Sequence, residues 1–423
     1  MRALLPRVLR LLLTGKKGPF IFERQLVNWP ARPASLNIYI HLPFCRQLCA
    51  FCPYLKEVYD PMVSAAYQQA LLKELEGYRQ LWGDINIESV YFGGGTPSLT
   101  PEIVEETLSW IARSFHLDGE VGAEIHPRDA SPALLGALRR SGVNLASLGV
   151  QSFNDRLLSR LGRDYDSKLA RQACQRLLEA GFATADIDLI FAIPTQNKVE
   201  AEADMATACD LGADQISAYP LLAFSYTPLR QQLHKDGVSL PPWWRERQML
   251  GAIVKRAQDA GYQRTSIWSF NQPKTLRYTT VTRDAFIGIG AGASSRIGDF
   301  FKLNTFSIAE YIKAAGNGSA TALATRLDAE DKMAYWLFWR GYDLAIDTSA
   351  FRSTFGREPP YRLRALFSLL RPLGITSRKG NTISLTDRGA YLFHLIEKEY
   401  THAYLETLWK ACMEEPWPRR VVI

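Results

Sequence analysis

Short apolar runs alternate with longer amphipathic segments from about residue 36 onward, and this alternation constrains the fold more than any other feature of the 423-residue chain. The apolar runs are rich in β-branched and aromatic residues and predict strands: LNIYIHL, ESVYFGG, VGAEIHP, LASLGVQ, ADIDLIFAIP and ADQISAYPLL. The segments between them predict helices, among them PMVSAAYQQALLKELEGYRQLW, PEIVEETLSWIARSF and SKLARQACQRLLEAG. This order favours an α/β fold whose parallel sheet curls into a full or partial βα barrel. Functional residues then belong at the C-terminal ends of the strands.

The pattern changes after about residue 325, where helical segments dominate. AEDKMAYWLFWRGY, YRLRALFSLLRPLG and GAYLFHLIEKEYTHAYLETLWKA predict helices, and ITSRKGNTISLTDRG predicts a hairpin centred on Gly380 and Asn381. We therefore expect a mostly helical, winged-helix-like domain over residues 325–423. Such modules bind DNA, or they serve as lids and packing domains. The 50 Lys and Arg residues are scattered against 43 Asp and Glu, which favours the second use, so no nucleic-acid partner is expected.

The first 22 residues, MRALLPRVLRLLLTGKKGPFIF, open a basic amphipathic extension that we assign to residues 1–35. The apolar run is interrupted by arginines and is too short for a membrane span. We expect a helix that packs on the body of the protein. The alternative is a surface helix on anionic lipid, with these residues on one side: Leu4, Leu5, Val8, Leu9 and Leu12. Six cysteines without a disulfide-like spacing predict a cytoplasmic protein, with membrane association as the alternative.

Three cysteines, Cys45, Cys49 and Cys52, lie within eight residues of the stretch HLPFCRQLCAFCPYLK, which follows the first predicted strand. Three thiolates on one loop can ligate three irons of a [4Fe–4S] cluster and leave the fourth iron open for a substrate or cofactor. A zinc site with a distant fourth ligand is the alternative. The prolines and polar residues of this stretch indicate a loop, which argues against a chance cluster of core cysteines.

The motif formed by these cysteines together with Phe51 resembles that of the radical S-adenosylmethionine superfamily. The segments YIHLPFC, YFGGGTPS, SLGVQSFNDRLLSRLGR, DIDLIFAIP and FIGIGAGASS resemble, in their order, the oxygen-independent coproporphyrinogen III oxidase family and its relatives. This resemblance implies a partial (β/α) barrel of the radical S-adenosylmethionine type over residues 36–320. It also implies a [4Fe–4S] cluster held by the three cysteines, two molecules of S-adenosylmethionine, and an electron donor such as flavodoxin or ferredoxin.

The same resemblance implies roles for further residues. Those that match positions around the cluster-bound S-adenosylmethionine are Phe51, Gly95, Thr96, Gln151, Arg163 and Asp188. Arg163 suits its carboxylate, whereas Gln151 and Asp188 suit the ribose hydroxyls. Tyr39, Gly94 and Glu124 match positions that line a second S-adenosylmethionine, and we assign Tyr39 and Glu124 to catalysis there. The glycines of YFGGGTPS let backbone approach a ligand closely.

Departures from the family patterns guide the functional prediction. Pro53 and Tyr54 follow the third cysteine, where the oxidase has a further cysteine, and Thr280, Val281 and Thr282 occupy the region where the haem chaperones carry HNxxYW. Ala192 replaces a glycine of the usual DLIYGLP.

The continuation after Cys52 and the segment SIWSF are more similar to the methyltransferases and cyclopropanases of this branch. We therefore predict methylation or cyclopropanation of an unsaturated sp2 carbon in a small aromatic or polyunsaturated substrate. Tyr54, Trp268 and Phe270 are candidates to line its pocket. The alternatives are a tetrapyrrole enzyme, either porphyrinogen oxidase-like or active in anaerobic haem breakdown, and a haem chaperone.

Overall fold

The computed structural model describes residues 4–25, 27, 29, 32–279, 283–315 and 320–423. Its α-helices are α1 (Leu4–Thr14), α2 (Pro61–Trp82), α3 (Pro101–Ser114), α4 (Pro132–Arg140), α5 (Asp155–Arg160), α6 (Ser167–Glu179), α7 (Lys198–Leu211), α8 (Pro228–Lys235), α9 (Trp243–Asp259), α10 (Ile308–Ala314), α11 (Ala329–Tyr342), α12 (Thr348–Phe355), α13 (Tyr361–Leu370), α14 (Asp387–Tyr400) and α15 (Glu406–Glu414). A 3-10 helix spans Pro97–Leu99, and a π-helix spans Thr401–Leu405 between α14 and α15.

The strands are β1 (Ile21–Glu23), β2 (Ser35–Leu42), β3 (Phe44–Cys45), β4 (Glu57–Val58), β5 (Asn86–Gly94), β6 (His116–Ile125), β7 (Leu145–Gln151), β8 (Thr184–Phe191), β9 (Gln215–Pro220), β10 (Gln263–Arg264), β11 (Ser269–Asn271), β12 (Phe286–Ile289), β13 (Ser294–Ile297), β14 (Phe300–Asn304), β15 (Thr321–Arg326), β16 (Ala345–Asp347), β17 (Thr376–Lys379), β18 (Thr382–Leu385) and β19 (Arg420–Val422).

One large sheet organises the part of the chain that the structure describes, in the order β10-β11-β9-β8-β7-β6-β5-β2-β12-β13-β14-β15-β1-β19. The run from β9 to β12 is parallel throughout, whereas the strands on both flanks pair antiparallel. Helices connect the parallel strands, as βαβ units require. The predicted α/β fold with a partial βα barrel is confirmed, and each of the six predicted strands is present in the parallel run.

The alternation of side chains along β2 shows how this sheet builds both a core and a site. Ile38 and Ile40 are buried in the main hydrophobic core. Tyr39 and His41 point to the opposite face, because successive side chains of a strand alternate, and they line a large cavity. The loop after β2 then carries the three cysteines into α2, which begins at the N-cap Asp60. The strand ends and the cysteine loop therefore meet at one edge of the sheet.

The C-terminal region is mostly helical and contains a small sheet in the order β16-β18-β17. The predicted hairpin is confirmed: β17 pairs with β18, and Gly380 in the turn has a φ of 58°. A separate hydrophobic cluster, including Trp336, Phe351 and Leu363, lies under these helices. The predicted division into 1–35, 36–320 and 325–423 stays a prediction.

Helix α1 packs against this C-terminal region. Leu13 contacts its hydrophobic cluster, Arg362 donates a hydrogen bond to the Leu13 carbonyl at 2.9 Å, and Lys16 pairs with Asp331 at 2.6 Å. Val8 and Leu12 are each 41% exposed. The side chains of Leu4, Leu5 and Leu9 lie outside the described residues, so the lipid-facing alternative stays a prediction. Among the described helices, none is both long and apolar enough to cross a membrane.

Candidate active site

The cysteine loop is closed at its base by a short parallel pairing of β3 with β4. The Glu57 N–H donates to the Pro43 carbonyl at 2.7 Å, and the Tyr59 N–H donates to the Cys45 carbonyl at 2.9 Å. Within the loop, Lys56 Nζ donates to the Cys52 carbonyl at 2.6 Å. These bonds hold the loop against the C-terminal end of β2 and direct the three cysteines into the same space.

That space is a cavity of about 740 Å³ at the C-terminal ends of the parallel strands. The structure brings to its wall every residue that the sequence analysis assigned to the cluster, to S-adenosylmethionine or to catalysis: Tyr39, Cys45, Cys49, Phe51, Cys52, Gly94, Gly95, Thr96, Glu124, Gln151, Arg163 and Asp188. They come from five strands or the loops that follow them. Their placement is therefore as expected, while their individual roles stay predictions.

Burial disfavours ionisation of Cys45 and Cys52, and neighbouring polar and cationic groups act in the opposite direction. Burial raises the pKa of Cys45 to about 11, and a contact from Thr96 Oγ1 at 3.5 Å partly offsets this. Burial also raises the pKa of Cys52, which the Lys56 charge opposes. Arg163 Nη1 donates to Cys49 Sγ at 3.1 Å. Since metals bind the thiolate form, these cationic neighbours suit the three cysteines to hold iron.

The spacing of these side chains also bears on the kind of metal centre. Within the described ranges, no group of three or more His, Cys, Asp or Glu side chains converges closely enough to hold a single metal ion. A mononuclear zinc site requires such convergence. A [4Fe–4S] cluster distributes its thiolates over separate irons, and three cysteines on one loop are compatible with that arrangement.

The glycines at the end of β5 lie where neighbouring residues pack closely against the backbone. A Cβ at Gly95 would lie 2.8 Å from backbone atoms of Phe44, and a Cβ at Gly94 would lie 2.6 Å from the His41 ring. Gly94 also has a φ of 116°, which side chains rarely tolerate. The glycines thus let this strand end approach the start of the cysteine loop. Gly94 and Gly95 still border the cavity, so close approach of a ligand stays compatible with them.

Glu124 is held at the end of β6 by two hydrogen bonds. The Tyr91 hydroxyl donates to its Oε1 at 2.9 Å, and the Gly94 N–H donates to its Oε2 at 3.1 Å. Burial raises the pKa of Glu124 to about 7, although both bonds act in the opposite direction. The Tyr39 ring stacks on Tyr91 with centroids 6.0 Å apart. Tyr39 and Glu124, the two residues predicted to act in catalysis, are therefore linked through Tyr91.

His41 fixes the hydroxyl of Tyr39. The two side chains meet at 3.0 Å through His41 Nδ1, and His41 Nε2 lies 2.9 Å from the Leu55 carbonyl. Because a carbonyl only accepts, Nε2 carries the proton, and Nδ1 accepts from the Tyr39 hydroxyl. Burial lowers the pKa of His41 to about 4. The imidazole is consequently neutral at pH 7 and serves to orient Tyr39.

The side chains of Arg163 and Asp188 both form hydrogen bonds within the protein. Arg163 Nε donates to the Tyr165 hydroxyl at 2.9 Å, and its Nη2 donates to the Gly149 carbonyl. Ser147 donates to Asp188 Oδ2 at 2.6 Å, while burial raises the pKa of Asp188 to about 6. Both side chains retain a face on the cavity, where the resemblance expects S-adenosylmethionine.

Two backbone conformations at these strand ends are unusual. Gln151 has a φ of 70°, and Ala192, which replaces the usual glycine, has a φ of 59°. Left-handed backbone at a residue with a side chain costs on the order of 1–3 kcal/mol and clusters at functional sites. The turn at Ala192 therefore keeps the conformation that a glycine would give. The strained Gln151 places its side chain on the cavity.

An aromatic wall, formed by Tyr219, Trp268 and Tyr342, continues the cavity away from the cysteines. Trp268 packs edge-on against Tyr219, with centroids 5.8 Å apart, and against Tyr342, with centroids 5.7 Å apart. Its indole N–H donates to His394 Nδ1 at 3.0 Å, and His394 Nε2 lies 2.9 Å from Glu246 Oε1. This chain of bonds fixes the orientation of the Trp268 ring.

The aromatic prediction was right in part. Tyr54 and Trp268 line the cavity, but the assignment of Phe270 to the pocket is wrong, because that ring is fully buried in the core. Phe270 lies on β11, where its neighbour Ser269 faces the cavity instead. Residues 280–282, where a chaperone-like histidine would be sought, lie outside the described residues.

Several site residues were missed from the sequence. Ser147 and Tyr91 hold the predicted carboxylates. Asp186, two residues before Asp188 on β8, is a buried carboxyl outside the cavity wall that accepts hydrogen bonds from Ser217 and Gln215. Burial and the Asp188 charge raise the pKa of Asp186 well above its usual range. The signal that could have found it was the alternation of carboxylates in DIDLIF, which places both on one face of a strand.

Comparisons with known proteins agree with this geometry. Residues 39–208 match the family model described as the Radical SAM superfamily. The oxygen-independent coproporphyrinogen III oxidase of Cereibacter sphaeroides is 29% identical over 408 residues, which cover 90% of this chain and 89% of the relative. The heme chaperone HemW of Bacillus subtilis is 27% identical over 365 residues, which cover 84% of this chain and 96% of the relative.

A solved structure shares the fold. The coproporphyrinogen III oxidase HemN from Escherichia coli, described as a radical SAM enzyme, superposes with a TM-score of 0.74 at 23% identity. The superposition covers 89% of this chain and 94% of that structure. The α/β radical S-adenosylmethionine fold with a helical C-terminal region is thereby established. These relatives lend no support to the predicted link with methyltransferases and cyclopropanases.

Proposed function

We propose that this protein is a radical S-adenosylmethionine enzyme that acts on a tetrapyrrole, with an electron donor such as flavodoxin or ferredoxin. The observation that carries the proposal is a single cavity that joins the cysteine loop to the aromatic wall. One end offers thiolates and cofactor-binding side chains, and the other offers a large aromatic surface. A reactive group generated at the loop would reach a substrate at the wall without crossing solvent.

The chemistry of the first end follows from the superfamily. When bound, a [4Fe–4S] cluster would supply the electron for reductive cleavage of S-adenosylmethionine, and with it the capacity to remove a hydrogen atom from the substrate. Cys45, Cys49 and Cys52 would hold the cluster. Arg163 suits the methionine carboxylate, and Asp188 suits the ribose hydroxyls. The protein's remaining part is to position the substrate and to exclude water and oxygen.

Two considerations support a tetrapyrrole as substrate. The relatives that align with most of this chain are named for coproporphyrinogen III and for haem. A cavity of about 740 Å³ also falls in the range of roughly 300–1,000 Å³ that suits sizeable organic ligands, and aromatic walls favour flat conjugated or pyrrolic rings. An enzyme is favoured over a haem carrier because every predicted cofactor residue lines the same cavity as the aromatic wall.

A second candidate is carbon transfer from a second S-adenosylmethionine, giving methylation or cyclopropanation. The observation that favours it is the buried carboxyl of Glu124 on the cavity wall, next to Tyr39 and Gly94. When ionised, this carboxylate would be a suitable neighbour for the positive sulfonium of that second molecule.

Isotope transfer separates the candidates. The reconstituted enzyme would be incubated without oxygen with a reductant, S-adenosylmethionine and coproporphyrinogen III that is deuterated on its propionate side chains. We expect deuterium from the tetrapyrrole in the 5′-deoxyadenosine. In a parallel reaction with methyl-deuterated S-adenosylmethionine, label in that product would favour carbon transfer instead.

A carrier would give a third result. Saturable haem binding with a shifted Soret band, without any substrate-dependent formation of 5′-deoxyadenosine, would replace the enzymatic proposal by a chaperone function. The Cys49→Ala variant serves as the matched control, since it keeps the cavity but removes one cluster ligand.

A further inference from the structure

One wall of the cavity is built by the segment that runs from α14 through the π-helix into α15. Its cavity-lining residues are Glu397, Tyr400, Thr401, Tyr404, Leu405, Leu408 and Trp409. The π-helical turn at Thr401–Leu405 interrupts the regular helix. Such turns are rare, and they occur frequently at functional sites. None of the sequence motifs pointed to this segment.

Glu397 is the unusual member of this wall. It is only 8% exposed, and within the described residues its Oε2 has no hydrogen-bond partner. Burial raises its pKa to about 8, and a hydrogen bond with Thr401 offsets only part of that shift. Two other carboxyls on the cavity are bonded within the protein: Glu124 accepts two hydrogen bonds, and Asp188 accepts one from Ser147. A buried carboxyl oxygen without a partner is costly, so Glu397 invites a donor from a ligand.

Arg10 on α1 presents the complementary charge to the same cavity. Its guanidinium lies 3.5 Å above the centroid of the Phe20 ring, and within the described residues its Nε and Nη1 have no hydrogen-bond partner. The nearest carboxylate, Asp331, is 3.9 Å from Nη2 and already bonds Lys16 at 2.6 Å. The Arg10 side chain is only 11% exposed. A guanidinium in this state is suited to a carboxylate from a ligand.

Glu397 and Arg10 both influence the pKa of Tyr400. Burial raises the pKa of Tyr400, nearby Tyr404 and Glu397 raise it further, and Arg10 lowers it. The two charged groups thus flank Tyr400 on one wall, and the Tyr342 ring of the aromatic wall lies within the electrostatic reach of Glu397.

We propose that Glu397 and Arg10 form a substrate-binding site in which Glu397 accepts a hydrogen bond from a ring N–H of the substrate and Arg10 pairs with a side-chain carboxylate. The ligand chemistry is a pyrrolic ring that carries acidic side chains. This site rests on the proposed tetrapyrrole function and extends it to residues of the C-terminal helices and of α1. The aromatic wall contacts the ring face, and the two charged groups fix its edge.

Binding of coproporphyrinogen III, which carries pyrrole N–H groups and carboxylates, tests the site directly. The reconstituted enzyme would be equilibrated with this probe without oxygen, and free ligand would be quantified by ultrafiltration followed by oxidation to fluorescent porphyrin. We expect Glu397→Met and Arg10→Met each to raise Kd about tenfold or more, as expected for loss of a buried hydrogen bond in the first variant and of an ion pair in the second. Glu397→Gln, which keeps an acceptor oxygen, should lose less.

Matched controls come from the same two helical segments. Glu399→Met alters a glutamate of α14 that is not part of the cavity wall, and Lys17→Met removes an exposed charge just beyond α1; both should bind like wild type. Melting temperatures and S-adenosylmethionine cleavage without substrate establish that each variant is folded and carries its radical machinery.

The outcomes separate this site from the function on which it rests. If wild type binds the porphyrinogen, and both Glu397→Met and Arg10→Met bind it with an unchanged Kd, the site is overturned while the tetrapyrrole function stands. Wild-type protein that cleaves S-adenosylmethionine but does not bind the porphyrinogen would overturn the tetrapyrrole function and the site together.

Discussion

Replacing Glu124 by Gln should change how the stability of the cluster-free protein depends on pH. The folded structure raises the pKa of this carboxyl from 4.5 to about 7, chiefly by burial. Between these values the folded state keeps a proton that the unfolded state has lost. The free energy of unfolding therefore falls as pH rises through this window. The Gln variant cannot titrate and lacks this contribution.

The magnitude follows from the two pKa values. Each unit of pKa difference corresponds to about 1.4 kcal/mol when the window is fully crossed. From pH 5 to pH 7 the ionised fraction of the unfolded carboxyl rises from about three-quarters to nearly one, while the folded carboxyl reaches only half-ionisation at a pKa of about 7. Wild type should accordingly lose about 2 kcal/mol more than Glu124→Gln over this interval. Asp188 and other buried carboxyls titrate in both proteins, so the difference reports on Glu124 together with its electrostatic interaction with Asp188.

Urea unfolding at pH 5 and pH 7 measures this difference. The Gln side chain also alters the bonds with Tyr91 and Gly94, but that cost is the same at both pH values and cancels in the comparison. Glu105→Gln, which changes an exposed glutamate of α3, serves as the control and should follow wild type. Parallel pH dependences for wild type and Glu124→Gln would refute the buried, proton-retaining state of this carboxyl.

Two further substitutions test the packing around the site. Gly95→Ala brings a Cβ within 2.8 Å of backbone atoms of Phe44. It should lower the free energy of unfolding by about 1–3 kcal/mol and lower iron uptake on reconstitution. Gly77→Ala, in open space on α2, should leave iron uptake unchanged. Equal iron content in both variants would contradict the role of Gly95 in seating the cysteine loop. Trp268→Phe keeps a ring on the cavity but removes the donor to the buried His394. The free energy of unfolding should fall by about 1–3 kcal/mol. An unchanged unfolding midpoint would show that this bond does not hold the aromatic wall.

The fold was largely predictable because its parallel strands are long, apolar and separated by amphipathic helices. The edge strands were not predictable. β1 and β19 have three residues each and pair with one another across almost the whole chain, so no local pattern marks them. β12 belongs to a glycine-rich motif from which we did not predict a strand, yet it pairs in parallel with β2 and completes the central run. Such pairings depend on long-range contacts, which periodicity does not reveal.

The candidate site also has a part that the sequence predicts and a part that it does not. Cys45, Cys49 and Cys52 form a local motif, and the remaining predicted residues follow strand ends, so the parallel topology brings them together. Glu397 escaped notice because a glutamate in the segment HLIEKEY is typical of a solvated helix face. Only the packing of α14 against the barrel turns that face toward the cavity. Phe270 was misplaced because its aromatic character does not reveal on which side of β11 it lies.

The central claim is that the cysteine loop holds a cluster that cleaves S-adenosylmethionine reductively. The most direct measurement is the yield of 5′-deoxyadenosine from protein that has been reconstituted with iron and sulfide and reduced without oxygen. Wild type should form it and bind iron. Alanine at Cys45, Cys49 or Cys52 should abolish both, whereas Cys174→Ala and Cys412→Ala, which change buried thiols of α6 and α15, should retain both. Formation of 5′-deoxyadenosine by any of the three loop variants, or its absence from iron-loaded wild type, would contradict the account.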